Sequence, residues 1–425
     1  MLCEWKQLQP VCAADTDCLH AATPIVNRKR RAKPHDKTMK ISAALYLCLL
    51  GSSLAFTPQL PTKSPVSSTT VLFSAESPND NSSKRLDGVV CVVTGASRGI
   101  GKGIAVALGR EGAIVYVTGT TSSSGRTGTA EAYAAVENDP GTIEETAAAI
   151  TEAGGRGIAV LCNHANDDQV KLLFVQVEKE QGRLDILVNN AFRIPAGGPS
   201  KLFGKFWEQD IAVWDNVHTV GLRSHYVATC YAMPLLLKSE AASKLPRPLV
   251  AMISSFGGLT YTFNVAYGVA KAGVDRLAKD MSVELAGKSI CVTSFWPGLV
   301  LTERTQVLVE NGLWDEYVSL DLENSETPEF TGRAIVAVAT DPNNMAKSGT
   351  FQVVAELSQE YEFTDVDGST PPSIRSLKFL LPAYGMTAEQ RRKVPAWMIP
   401  DWKLPFWVMA GGRPPREDVQ TGRPI

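Results

Sequence analysis

Three polar residues between positions 255 and 271 have the types and spacing of an acid–base site. Tyr267 and Lys271 are four residues apart in a segment of helical pattern, so both side chains lie on one face of a helix. A neighbouring ammonium lowers the pKa of a tyrosine, which is otherwise about 10. The pair can therefore exchange a proton with the oxygen of a carbonyl or an alcohol. The hydroxyl of Ser255 can hold and polarise the same oxygen.

A glycine-rich turn upstream has the character of a phosphate site. An apolar, β-branched run at 89–93 predicts a strand buried on both faces, and 100–108 has helical spacing. Glycine lets the backbone approach a phosphate closely, and a helix N-terminus offers free N–H groups to it. The spacing is Thr94-Gly95-x-x-x-Gly99-x-Gly101, which differs from the common Gly-x-Gly-x-x-Gly fingerprint. A plain glycine-rich turn is the alternative.

The segments around these residues alternate between buried strands and helices. The predicted strands are 89–93, 113–117, 157–162, 184–189, 248–254 and 289–295, and the predicted helices are 142–153, 170–180, 211–237 and 264–286. This alternation predicts an α/β fold, a doubly wound, Rossmann-like parallel sheet with helices on both faces. The glycine turn follows the first strand and Tyr267 follows the fifth. That placement gives weight to a Tyr-x-x-x-Lys pair that is weak evidence by itself.

In this order, five motifs resemble those of the short-chain dehydrogenase/reductase superfamily. They are Thr94-Gly95-x-x-x-Gly99-x-Gly101, Asn189-Asn190-Ala191, Ser255, Tyr267-x-x-x-Lys271 and Pro297-Gly298. The resemblance covers residues 86–341 and extends to about residue 368. It implies NAD(P)-dependent oxidation or reduction of a carbonyl/alcohol pair, with steroid-like or xenobiotic ketones as substrates. A non-catalytic nucleotide sensor or scaffold of the same fold is the rival hypothesis.

The resemblance also implies a role for each matching residue. Tyr267 is the acid/base, Lys271 lowers its pKa and binds the nicotinamide ribose, and Ser255 positions the substrate oxygen. Ser254 is an alternative to Ser255, because the gap from Ser255 to Tyr267 is one residue shorter than in many relatives. The implied cofactor contacts are Thr94, Gly95, Ser97, Arg98, Gly99, Ile100, Gly101, Asn163, Asn189, Ala191, Tyr267, Lys271, Pro297, Gly298, Val300 and Thr302.

Two positions depart from the family pattern. His218 stands three residues before Gly221, where relatives have an asparagine that holds a water in the proton relay behind the lysine. A histidine nitrogen can do the same, while a broken relay and a merely packed ring are the alternatives. Asn163, followed by His164, replaces an aspartate that contacts adenine, and an amide can still form hydrogen bonds there.

The end of the second strand bears on the choice of cofactor. NAD-specific relatives place an acid there for the ribose hydroxyls, whereas this chain reads Val117-Thr118-Gly119-Thr120. Arg98 lies in the glycine turn and Arg126 in a Gly/Ser-rich insertion. A guanidinium without a competing carboxylate suits a 2′-phosphate, so the expected cofactor is NADPH/NADP rather than NAD. An Arg126 that is merely solvated is the alternative.

Composition excludes some classes of function. The chain has 425 residues, 44% of them hydrophobic, and a net charge of −2, which argues against a general nucleic-acid binder. Its eight cysteines show no metal-like spacing, so no metal site is expected. The four in apolar runs are expected to be reduced and buried: Cys91, Cys162, Cys230 and Cys291.

Residues 1–85 have the pattern of a targeting extension. Basic residues precede an apolar run at 41–50, and small residues follow at 51–55, as in a signal peptide that begins at Met39. Phe56 then opens a Ser/Thr/Pro-rich segment that resembles the bipartite plastid presequences of algae with complex plastids. Plastid targeting through the secretory pathway is therefore expected. Residence in the endoplasmic reticulum, secretion and a genuine basic arm are the alternatives.

The C-terminal third divides into a predicted lid and a tail. Residues 301–330 are expected to cover an apolar carbonyl substrate, and the catalytic domain is expected to span 86–370. The tail, 371–425, interleaves Trp397, Trp402, Phe406 and Trp407 with prolines and basic residues. Docking onto the domain, packing across a homo-oligomer and contact with a membrane surface are the three interpretations.

Overall fold

The computed structural model describes residues 84–126, 141–193, 205–239, 244–310, 324–386, 390 and 393–411. The strands are β1 (Val90–Val93), β2 (Ile114–Gly119), β3 (Thr121–Ser122), β4 (Gly125–Arg126), β5 (Arg156–Leu161), β6 (Ile186–Asn189), β7 (Leu249–Ile253), β8 (Cys291–Trp296) and β9 (Phe351–Val353). Seven of them form one parallel sheet in the order β5-β2-β1-β6-β7-β8-β9, and β3 pairs with β4 in a small antiparallel hairpin. The doubly wound parallel sheet predicted from the sequence is confirmed.

Helices cover both faces of this sheet. They are α1 (Gly99–Arg110), α2 (Ile143–Glu152), α3 (Asp167–Gln181), α4 (Ile211–His218), α5 (Ser224–Ser239), α6 (Val265–Glu284), α7 (Glu303–Glu310), α8 (Pro328–Thr340), α9 (Val354–Glu360), α10 (Leu377–Leu380) and α11 (Phe406–Gly411). Polar caps begin several of them. At α2, Thr142 and Glu145 form a reciprocal capping box, which satisfies two N–H groups that a helix start leaves free.

The side chains of β1 divide between two cores because successive strand residues point to opposite faces. Cys91 and Val93 join the core under α1, α2 and α8, whereas Val90 and Val92 join the core under α3, α5 and α6. All four are at most 1% exposed. The apolar run that predicted a doubly buried strand therefore has that role at the centre of the sheet.

Three features differ from the expectations. The predicted helix 211–237 is interrupted by a π-helical turn, Thr219–Arg223, between α4 and α5. The edge strand β9 was not predicted, because a three-residue strand leaves too little pattern to detect. Cys230, expected to be buried, is exposed on α5, while Cys91, Cys162 and Cys291 are buried and all four are free thiols.

Part of the tail packs on the domain. Ile374, Phe379 and Ala383 join the core under α1 and α8, so that core continues past residue 370. Phe406 lies edge-on to Phe351, with ring centroids 5.0 Å apart. In contrast, the exposed side chains of Trp397, Trp402 and Trp407 take no part in that core. Within the described parts of the chain, no helix is long and apolar enough to span a membrane.

Candidate active site

Tyr267 lies in the first turn of α6 because Asn264 fixes where that helix begins. The Asn264 side-chain oxygen accepts a hydrogen bond from the Tyr267 backbone N–H at 2.8 Å. Two aromatic rings meet the tyrosine ring edge to face, Phe192 at 5.9 Å and Phe263 at 4.9 Å between centroids. Phe263 has a φ of 60°, a strained conformation for a bulky residue. Contacts with two other aromatic rings therefore position the Tyr267 ring.

The side chains of the two candidate serines at the end of β7 point in different directions. The Ser255 hydroxyl is hydrogen-bonded to the Tyr267 side chain and accepts the Gly257 N–H at 3.1 Å. The Ser254 hydroxyl instead donates to the Lys271 carbonyl oxygen at 3.1 Å. The structure therefore brings Ser255 to Tyr267 and turns Ser254 towards the body of α6.

Burial is the largest influence on the pKa values of Tyr267 and Lys271. Burial raises the pKa of Tyr267 to about 12, the Ser255 hydrogen bond opposes this rise, and the charge of Asp275 adds to it. Burial lowers the pKa of Lys271 to about 8, against the attraction of Asp275. The lowering of the tyrosine pKa expected from Lys271 does not outweigh burial in this arrangement. The Lys271 Nζ donates to the Ile253 carbonyl oxygen at 3.0 Å and lies 5.8 Å from the Tyr267 ring centroid.

The glycine turn after β1 is fastened to the end of β6. The Thr94 hydroxyl accepts the N–H groups of Asn190 and Ala191 at 2.9 and 3.0 Å. The Asn190 side-chain amide donates back to the carbonyl oxygens of Thr94 and Gly95 at 2.8 and 3.0 Å. Gly95 has a φ of +66°, and a Cβ there would lie 2.8 Å from Ala191 Cα. Glycine is required at this position for both reasons.

The N-terminus of α1 already holds a negative group. The Gly99 backbone N–H donates to the Glu303 carboxylate at 2.8 Å, and Thr302 packs beside Gly99. A Cβ on Gly101 would collide with the Asn190 amide and lie 2.5 Å from the Gly95 carbonyl oxygen. The N–H group at this helix start therefore binds an oxyanion of the chain itself, which is the interaction that a phosphate would also make.

Residues from three segments meet beside the end of β2. A Cβ on Gly119 would lie 3.6 Å from Ser97, which is 6% exposed. The neighbouring Arg98 guanidinium donates to the Gly141 carbonyl oxygen at 2.7 Å. The predicted guanidinium is thus held near the strand end that lacks an acid. The side chain of Arg126 lies outside the described residues.

Two of the predicted asparagines have mainly structural contacts. Asn189 is fully buried and its amide donates to Thr229 Oγ1 at 2.9 Å, which fixes β6 to α5. The Asn163 side-chain oxygen accepts the Ala165 N–H and the Arg193 guanidinium at 3.1 and 3.3 Å. Asn163 therefore shapes the loop after β5. Ile100, another predicted cofactor contact, is partly buried and packs against the core.

The Pro297-Gly298 loop after β8 is hydrogen-bonded to a buried acid, Glu326. The Gly298 N–H donates to Glu326 Oε1 at 2.9 Å, and Glu326 also pairs with Val300 through the backbone. Glu326 is 1% exposed, and its Oε2 has no hydrogen-bond partner among the described residues. Burial raises its pKa to about 8, the Gly298 hydrogen bond opposes this rise, and the charge of Asp365 adds to it. Thr302, further along the same segment, bonds through its N–H to Thr305.

His218 ends α4 at the π-helical turn. Its Nδ1 bonds to the Trp214 carbonyl oxygen at 2.9 Å, and its ring stacks on Trp214 with centroids 3.8 Å apart. A carbonyl only accepts, so Nδ1 carries a proton and donates it to this bond. That Nε2 is buried and has no hydrogen-bond partner among the described residues. Its part in a proton relay stays a prediction.

Comparisons with known proteins agree with this geometry. Residues 128–312 match a family model described as short chain dehydrogenase. Mouse dehydrogenase/reductase SDR family member 1 is 36% identical over 325 residues, which are 75% of this chain and 96% of the mouse protein. The chain belongs to the short-chain dehydrogenase/reductase family. It is an oxidoreductase enzyme, and the family uses NAD(P) cofactors.

Two other members resemble this dehydrogenase/reductase less strongly. The 3-oxoacyl-(acyl-carrier-protein) reductase FabG of Thermotoga maritima is 29% identical over 262 residues, covering 61% of this chain and 94% of that protein. The crystal structure of a short-chain type dehydrogenase/reductase from Mycobacterium marinum superposes with a TM-score of 0.50 at 23% identity. It covers 63% of this chain and 94% of that one, and supports the fold.

The residues present in this dehydrogenase/reductase fit a dinucleotide. Gly95 and Gly101 let the turn pack directly against Ala191 and Asn190, because a Cβ at either glycine would collide with them, and the N-terminus of α1 binds the Glu303 carboxylate in the place suited to a phosphate. Thr94 and Asn190 hold that turn rigidly against β6. When bound, a nicotinamide dinucleotide supplies or accepts the hydride.

Sequence reasoning missed several supporting residues of this dehydrogenase/reductase. Asn190 had a visible signal, since it follows Asn189 directly in a matched motif. The others are brought to the site from distant segments or carry no local pattern: Phe192, Asp275, Glu303 and Glu326. Of the predicted lid, residues 311–323 lie outside the described residues, while 303–310 form α7.

Proposed function

We propose that this enzyme is an NADPH-dependent carbonyl reductase that acts on an apolar ketone, steroid-like or xenobiotic, with Ser255, Tyr267 and Lys271 at its centre. The hydrogen bond between Ser255 and Tyr267 carries the proposal, because it aims two hydroxyl groups at one place where a substrate oxygen can be held. The aromatic rings of Phe192 and Phe263 favour an apolar substrate beside them. The relative named as a reductase supports the same direction of reaction.

The chain's own residues suit a proton donor. With a pKa of about 12, the Tyr267 hydroxyl keeps its proton at neutral pH and can give it to the oxygen of a ketone as negative charge develops there. The Ser255 hydroxyl donates a second hydrogen bond to that oxygen and stabilises the same charge. With a pKa of about 8, Lys271 is mostly cationic at neutral pH, so its charge favours the phenolate left behind.

The preference for NADPH rests on the surroundings of Arg98. The end of β2 carries Thr118 and Gly119 in place of an acid, so no carboxylate at that position competes with a 2′-phosphate. The Arg98 guanidinium lies at the same end, held by the Gly141 carbonyl oxygen. Arginine binds phosphate in a two-point geometry, which gives the 2′-phosphate a favourable partner.

The purified enzyme should therefore bind NADPH at least about tenfold more tightly than NADH, since an arginine–phosphate contact is a charge-assisted hydrogen bond. Arg98→Ala should narrow this gap by weakening NADPH binding alone. Arg110→Ala is the matched control, because Arg110 is at the other end of α1 and pairs with Glu329 at 2.8 Å. Nucleotide fluorescence titration measures both affinities, and oxidation of NADPH against a panel of ketones, quinones and aldehydes tests the reaction. Equal affinities in the wild type would contradict the cofactor assignment.

We further propose that the extension directs the enzyme to the plastid of an alga with a complex plastid. A fusion of residues 39–85 to a fluorescent protein should label that plastid. Phe56→Ala should move the signal to the endoplasmic reticulum or the medium, whereas Phe73→Ala, a control in the same segment, should leave it in place. Cytosolic fluorescence from the unmodified fusion would exclude the targeting role. Contact of the tail with a membrane or a second copy stays a prediction.

A further inference from the structure

Asp275 lies on the catalytic helix two turns after Tyr267 and one turn after Lys271, where no role has yet been assigned to it. Residues three or four apart share one helix face, so Asp275 continues the face that carries both catalytic side chains. Asp275 is partly buried, and this burial raises the pKa of its carboxyl group. A buried acid is costly unless other groups bind it, so its partners indicate why it is there.

Those partners come from both loops that form the site. Asp275 Oδ1 accepts the indole N–H of Trp296 at 3.0 Å, and Trp296 directly precedes Pro297-Gly298. The hydrogen bond from Trp296 is the largest influence that opposes the rise in the pKa of Asp275, and the nearby side chains of Ser294 and Ser254 add to it. Oδ2 lies against Gly258, where a Cβ would come within 2.9 Å of it, in the turn that follows Ser255. One carboxylate therefore joins α6 to the ends of β7 and β8.

We propose that Asp275 is a positioning residue of this active site, whose carboxylate keeps the Lys271 ammonium charged and holds the ends of β7 and β8 against the catalytic helix. The proposal rests on the proposed function of Ser255, Tyr267 and Lys271. Asp275 acts through these residues rather than by touching the substrate. Its negative charge also favours the protonated form of Tyr267, which is the form that carbonyl reduction requires.

The charges around Lys271 make Asp275 its principal electrostatic support. On α6, Asp275 is the acid that raises the lysine pKa against burial. From α5, His225 faces the lysine, but burial lowers the pKa of His225 to about 3, so that ring is neutral at working pH. The Phe192 ring, 5.3 Å from Nζ, and the Ile253 carbonyl oxygen complete the surroundings. Removing the Asp275 charge should therefore move the Lys271 titration directly.

Nuclear magnetic resonance on the nucleotide-free protein tests this without relying on turnover. Protein labelled with ¹³C-lysine is titrated with base, and the Lys271 signal is assigned by its loss in Lys271→Arg. In Asp275→Asn the titration midpoint should fall by about one pH unit, because an opposite charge has been removed from a buried site. Asp280→Asn, on the same helix in an exposed pair with Arg276, should leave the midpoint unchanged. An unchanged midpoint in Asp275→Asn would overturn the proposal.

The pH dependence of kcat/KM separates this proposal from the proposed function. The decline of ketone reduction at high pH should begin about one unit lower in Asp275→Asn than in the wild type or Asp280→Asn. If Asp275→Asn does not fold, Asp275→Ser, which also removes the charge, replaces it in both measurements, and the same downward shift is expected. Absence of that shift in Asp275→Ser would then overturn the proposal. A shifted Lys271 midpoint in a protein that reduces no ketone would instead contradict only the proposed reaction.

Discussion

Replacement of Tyr267 by phenylalanine should lower kcat for ketone reduction by at least about 10³-fold, the range in which loss of a general acid acts. The substitution removes one hydroxyl and its hydrogen bond to Ser255. It keeps the ring that Phe192 and Phe263 contact, so the surrounding packing should persist. Nucleotide affinity should change little, because the glycine turn and the N-terminus of α1 are untouched. Stopped-flow or steady-state assays with NADPH, paired with fluorescence titration of NADPH, measure the two properties.

Tyr261→Phe is the matched control for this change. Tyr261 lies in the loop just before α6, is exposed, and bonds through its hydroxyl to the Phe263 carbonyl oxygen at 3.3 Å. Its loss should leave kcat within a factor of about two, since an exposed hydrogen bond contributes little. A Tyr267→Phe enzyme that retains more than a tenth of the wild-type rate would show that another group supplies the proton.

Replacement of Glu326 by glutamine should stabilise the protein at pH 8.5 by an amount on the order of 3 to 5 kcal/mol, and hardly at pH 4.5. The pKa of Glu326 is raised from its ordinary range to about 8 in the folded state. Between those two values the unfolded chain has lost the proton and the folded chain has not. Stability contributed by the protonated group is therefore present at low pH and is lost as the pH rises towards 8.

Glutamine preserves the contact while removing the titration. Its amide oxygen can still accept the Gly298 N–H, and its amide nitrogen replaces an oxygen that has no hydrogen-bond partner among the described residues. Glu329→Gln is the control, because Glu329 is three residues away and more exposed, in a pair with Arg110. Urea unfolding at several pH values gives the difference between each variant and wild type. A Glu326→Gln difference that is the same at every pH would refute the assignment.

The sequence determined the fold class and most of the chemistry because both have local signatures. Strands buried on both faces read as apolar runs, as at 89–93 and 184–189, and helices between them keep a 3.6-residue period. The glycine turn needs residues without a Cβ, which is visible at Gly95 and Gly101. The Tyr267/Lys271 pair is set by a helical spacing that the sequence states directly.

Tertiary structure decided which serine faces the tyrosine. Ser254 and Ser255 are adjacent at the end of a strand, where successive side chains point in opposite directions. Which of the two faces Tyr267 therefore depends on how β7 is placed against α6. Tertiary structure also gives the adjacent Asn189 and Asn190 different partners. The Asn189 amide is buried and donates to Thr229, whereas the Asn190 amide donates to the glycine turn. A one-residue slip would exchange these roles without any change in composition.

Long-range contacts also decided the electrostatics of the site. Glu326 reaches Gly298 across 28 positions and Glu303 reaches Gly99 across 204, and no local pattern predicts either contact. The expectation that Lys271 lowers the pKa of Tyr267 came from spacing alone. Burial sets the direction instead, because the cost of desolvating a charge depends on every segment packed around it. Spacing along the chain determined which groups could come together, whereas the tertiary structure determined how far those groups are buried from solvent.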